Sequence, residues 1–163
     1  MKKFLSMLLA VACLITVATT AASADEIEST PLTQTDSYIE YYEDGSYAII
    51  TITSTVTSGT RATSTTKTAS KIHNFYNADN ELQWTYTLIG YFTITEGVSV
   101  VCSGSSYDSV IHVSSWSLTD HTNNASGNMA YGTATYTRKV FFVTSATQNL
   151  TMEMQCDVYG NIS

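Results

Sequence analysis

Along residues 82–94, every second position is apolar or glycine: Leu82, Trp84, Tyr86, Leu88, Gly90, Phe92 and Ile94. Gln83, Thr85, Thr87 and Thr93 fill most of the positions between them. A period of two belongs to a strand with one face on a core and the other in water. Ile89 and Tyr91 interrupt the polar row, which predicts that the middle of this strand is covered on both faces. Thr95, Glu96 and Gly97 then make a turn, since glycine has no Cβ to oppose a positive φ. Val98, Val100 and Cys102 resume the row in phase, so the Cys102 thiol is expected to face the core. Near the end of the chain Leu150, Met152, Met154, Cys156 and Val158 alternate in the same way and turn Cys156 inward.

The remaining pattern predicts strands over 38–42, 47–57, about 61–76, 107–118 and 128–143, separated by turn residues such as Asp44-Gly45, Ser58-Gly59 and "NADN" at 77–80. Thr63, Ser64, Thr65 and Thr66 offer nothing to bury, which places the third strand near a sheet edge or partly in a loop. Residues 103–106 read as a loop and "TDHTNNASG", 119–127, as a polar connection. The small residues Ala130, Gly132 and Ala134 leave room for a bulky neighbour such as Trp116. No stretch shows a helical period. About eight strands with short connections imply an all-β fold, an antiparallel two-sheet β-sandwich, with a β-barrel as the runner-up.

Before these strands the chain reads as an address. Lys2 and Lys3 precede an apolar run from Phe4 to about Val17, and Ala22-Ser23-Ala24 is an A-x-A cleavage site, so residues 1–24 are expected to be a signal peptide. The run is short for a membrane span and no second one follows, so the mature protein is expected to be secreted, with no transmembrane segment. Ala10-Val11-Ala12-Cys13 loosely matches a lipobox, which makes a lipoprotein anchored through Cys13 a minor alternative. Residues 25–36 are polar, hold the single proline and read as a flexible arm, leaving 37–163 as one domain.

Export changes the meaning of the cysteines and of the charge. Only Cys102 and Cys156 remain after cleavage, and a disulfide between them would persist outside the cell. Such a bridge closes a loop of roughly 55 residues, and chain entropy puts its stabilisation at about 4 kcal/mol as an upper figure. The alternatives are weaker: two cysteines alone do not make a metal site, and a redox pair usually stands as C-x-x-C. The mature chain keeps all 14 acidic residues and loses two of the 7 basic ones, for a formal charge of −9. That balance argues against binding to nucleic acid or to an anionic membrane surface.

No residue pattern identifies a catalytic set, a metal or a cofactor. His73, His112 and His121 share no metal-binding spacing, and no G-x-S-x-G elbow accompanies Asp120 and His121. Asn77, Asp79 and Glu81 begin like a calcium loop, but Leu82 stands at its glycine position and Leu88 at its bidentate glutamate. Glu40, Glu43 and Asp44 read as a solvated acidic edge. Asn124, Asn149 and Asn161 each begin an N-x-S/T triplet. The 11 tyrosines carry the one functional hint: Tyr41, Tyr42, Tyr91, Tyr107 and Tyr131 are candidate ligand-binding residues, because an exposed Tyr presents a rigid apolar face and a polar tip.

The Lys-Lys signal peptide, "GVSVVCSG", "SSWSL", "SGNMAYGTATY" and the closing "CDVYGNIS" together resemble small secreted two-cysteine β-rich proteins of Gram-positive, often gut-dwelling, bacteria. The resemblance spans roughly 71–163 beyond the signal peptide and implies secretion, the disulfide and the β fold, but no functional residue. The expected function is therefore non-enzymatic binding of an extracellular ligand, a polysaccharide or a protein surface. A secreted hydrolase using His112 or His121 is one alternative, and a bacteriocin-like or structural exported protein is another.

Overall fold

Among the described residues, eight antiparallel strands follow one another without a crossover: β1 (Thr33–Tyr41), β2 (Tyr47–Thr57), β3 (Thr65–Tyr76), β4 (Leu82–Thr95), β5 (Ser99–Ile111), β6 (Trp116–Ser126), β7 (Met129–Val140) and β8 (Val143–Gln155). The first five form one sheet in sequence order and the last three form a second. The two sheets stay open, as a β-sandwich and not a barrel. The computed structural model describes residues 33–57 and 64–163. The signal peptide, Cys13, the arm as far as residue 32 and the turn at Ser58-Gly59 lie outside the described residues.

The period of two becomes rows that cross the first sheet. Trp84, Phe75, Ala48 and Glu40 share one inward row, Tyr86, His73, Ile50 and Tyr38 the next, and Leu88, Lys71, Ile52 and Asp36 a third. Each row is apolar at β4 and turns polar toward β1, so the core lies under β3, β4 and β5. There Trp84 stacks on Tyr136 of β7 with centroids 3.8 Å apart and planes 7° apart. The close approach of the sheets depends on Gly132: a Cβ there would stand 2.7 Å from Tyr86 Oη and 3.1 Å from Leu88 Cδ1. The small residues of β7 thus accommodate Tyr86 and not Trp116. Trp116 instead packs edge-on against Phe75 and donates its indole N–H to Gln83 Oε1. Gln83, in phase with the polar row, is buried because the crossing between sheets lies over it, where His112 and Val113 donate N–H groups to its carbonyl.

Several expectations need correction. β1 starts at Thr33, so residues 33–36 are strand: pairing with β2 satisfies their backbone although every side chain of β1 is exposed. β3 lies in the middle of its sheet and not at an edge, because the neighbouring ladders compensate for its weak apolar pattern. The loop expected at 103–106 is a bulge within a continuous β5: Gly104 faces Tyr91, Cys102 faces Phe92, and Ser103 is the extra residue. The expected polar connection 119–127 is mostly β6, an edge strand that pairs with β7 and has little to bury. Val98 is exposed in its turn. Tyr91 is also exposed, so β4 is not covered on both faces there.

Cys102 and Cys156, expected to be bridged, are buried thiols in this structure. They approach from opposite sheets and flank the β6–β7 turn, where Gly127 accepts the N–H of Cys102 and Asn128 that of Cys156. Each sulfur donates locally, Cys102 to Gly104 O at 3.3 Å and Cys156 to Asp157 O at 3.5 Å. Burial raises both thiol pKa values, that of Cys156 to about 11, which suppresses the reactive thiolate.

Candidate binding groove

A five-stranded sheet over a three-stranded one leaves an overhang. β8 lies across β3, while the inward faces of β1 and β2 continue past it. Between them runs a groove of about 280 Å³, floored by Tyr38, Ile50, Lys71 and His73 and walled by Glu40 and by Leu150, Thr151, Met152 and Glu153 of β8. A smaller hollow of about 40 Å³ lies further along the same two strands, between Gln34, Asp36, Ile52, Ser54 and Ile162.

One wall is an unpaired sheet edge. Gln155 exchanges both of its backbone hydrogen bonds with Ser163, so its N–H and C=O point away from β7. Backbone direction alternates by two, which sends the N–H and C=O of Glu153, Thr151 and Asn149 to the same side. Lys71 Nζ donates to the Glu153 carbonyl at 3.0 Å, as this geometry requires. No described strand pairs with β8 beyond that point.

The floor is half apolar and the rim is acidic. Asp36, Glu40 and Glu153 border the two hollows against one ammonium, that of Lys71. Burial first, and Glu40 second, raise the phenol pKa of both Tyr38 and Tyr42, which places the Glu40 carboxylate near both rings. His73 is 3% exposed. Its ring stacks on Trp84 at 5.2 Å and shares a hydrogen bond with Tyr42 Oη at 3.2 Å, while Nδ1 finds no partner among the described residues. Burial lowers its pKa to about 4, so the imidazole is neutral at physiological pH.

The five candidate tyrosines do not converge. Tyr41 lies at the end of β1 on the outer face, 6.0 Å from Tyr47, and Tyr42 turns inward against Phe75. Tyr91, on the outer face, bonds Ser106. Tyr107 stacks near Tyr86 and His121, and Tyr131 donates to Met129 Sδ on the second sheet. His112 bonds Thr85, and among the described residues no histidine side chain is hydrogen-bonded to a serine or a carboxylate. Asn77 Oδ1 accepts the N–H groups of Asp79 and Glu81, a β-turn arrangement. Among the described residues no group of three or more His, Cys, Asp or Glu is placed to hold a metal, and no helix is long and apolar enough to cross a membrane.

The residues that line the groove had a partial signal in the sequence. Tyr38, Ile50 and His73 share a phase on three successive strands, but nothing local showed that a groove would open between them and β8. Comparison with protein-family models, with curated proteins and with solved structures gives no match.

Proposed function

We propose that this chain is an exported, non-enzymatic binding module that takes an extended polypeptide segment into the groove beside β8. The observation that carries this reading is an unpaired strand edge beside a groove whose exposed lining is Tyr38, Glu40, Thr151 and Glu153. Strand addition supplies affinity through main-chain hydrogen bonds, here to Thr151 and Asn149, and specificity through alternate side chains, here against Tyr38, Glu40 and the half-buried Lys71. The acidic rim favours a basic segment. A polysaccharide is less well supported, because the aromatic row on the outer face is half-buried and stacks on itself. Tyr47 and Tyr76 lie 4.9 Å apart with planes at 4°, so the faces a sugar would use are turned toward each other. Export would also bring the Cys102 and Cys156 thiols into a compartment where a bridge between them persists. Intact mass before and after reduction, with alkylation, tests that step: a bridged protein takes up two alkyl groups only once reduced.

The binding test is an array of basic, neutral and acidic extended peptides probed with wild type and with Thr151→Pro. The proline removes an N–H that faces away from β7, a position where an edge strand tolerates it. Retention of basic peptides, with amide shifts at Thr151 and Asn149 and loss in the variant, is expected. Retention on glycans that Thr151→Pro leaves intact would sink the reading, as would retention of no peptide class.

A further inference from the structure

The turn between β7 and β8 is Val140-Phe141-Phe142-Val143. Phe141 is 93% exposed, Phe142 100% and Val143 67%. Both phenylalanines are held in the left-handed region, at φ 49° and 68°. A two-residue hairpin turn needs positive φ at both central positions, and Asn, Asp or Gly normally occupies them. These rings therefore bury nothing and strain their own turn, the combination expected where a conformation is retained for a contact outside the molecule.

The charge beside the tip is the reverse of the whole protein's. Arg138 and Lys139, immediately before it, are exposed, and their side chains make no hydrogen bond or ion pair with a described residue. From His121 to Met152 the chain contains no Asp or Glu, although its net charge is −7. Arg138 also borders a hollow shared with Asp44 and Asp79, so Lys139 is the less compensated of the two.

We propose that this tip is a reversible anchor to an anionic lipid surface, with Phe141 and Phe142 entering the boundary between headgroups and acyl chains and Arg138 and Lys139 meeting the headgroups. A fluid bilayer accepts a convex apolar tip without a complementary pocket, and a cationic collar adds attraction to anionic lipid. The acidic turns at the same end, Glu43-Asp44 and Asp79 to Glu81, belong to the other sheet, which confines the contact to the hairpin tip. Screening over about 8 Å at physiological salt weakens repulsion from the rest of the acidic surface.

The test is sedimentation of the full chain with vesicles of phosphatidylcholine alone and of phosphatidylcholine mixed with phosphatidylserine. Wild type is expected to bind the mixed vesicles, more weakly at high salt. F141N/F142G, which suits the turn and keeps the fold, is expected to bind at least about a hundredfold more weakly. K139Q is expected to lose roughly fivefold on the mixed vesicles only. Wild type that ignores both vesicles would overturn the proposal. So would binding that F141N/F142G retains, or self-association in place of lipid binding that the same variant abolishes.

Discussion

His73 shows how one residue couples the groove to the core. It sits in the inward row between Ile50 and Tyr86, with Trp84 against its ring. Its pKa falls from 6.5 to about 4 because burial penalises the imidazolium. The sign of the pH effect follows. Below about pH 6.5 the unfolded chain takes up a proton that the folded chain refuses until about pH 4, so stability is complete above this window and falls as pH drops through it. The loss is at most about 3 kcal/mol, from the 1.36 kcal/mol carried by each pKa unit. Denaturant melts at pH 7 and pH 4.5 should show a smaller drop for His73→Gln than for wild type. Carboxylates titrate in both proteins, so the difference isolates the imidazole. Equal drops would mean that His73 is protonated in the folded protein.

Among the elements, the β7–β8 hairpin carries the clearest conflict between local preference and structure. Left-handed backbone disfavours ordinary L residues by roughly 1–2 kcal/mol each, and two phenylalanines adopt it here. F141N/F142G is therefore expected to raise stability by about 1–3 kcal/mol, read as a higher denaturant midpoint at unchanged slope. A lower midpoint would show that the rings support the fold despite their exposure. The same elements show what the sequence discloses. β2 and β4 were legible because each buries one face against apolar neighbours, which forces a period of two. β6 was not, since an edge strand can satisfy its backbone by pairing with β7 while "TDHTNNASG" stays in water. The break at Phe141-Phe142 was hidden for the opposite reason: an apolar quartet reads as the middle of a strand, and only the turn geometry reveals it.

At the scale of the molecule, the sandwich class could be read from strand number and short connections, while its asymmetry could not. Which strands lack a partner depends on how far the second sheet reaches, and the groove exists only because β8 ends the sheet over β3. Stability should be distributed accordingly. β1 contributes nine exposed residues and pairs with β2 alone, whereas β4 is paired on both edges and packed beneath Tyr136, Met152 and Met154. Few buried contacts and an edge position favour local opening, while central core strands exchange only through global unfolding. Hydrogen exchange under native conditions is expected to find the amides of β1 fastest among the strands and those of Tyr86, Leu88 and Phe92 slowest. A basic peptide seated beside β8 should slow exchange at Thr151 and Asn149 first and along β1 second, and leave β4 unchanged. If β1 instead exchanges as slowly as β4 in the isolated protein, the overhang opens only with the core, and a ligand would find a rigid groove in place of a mobile edge.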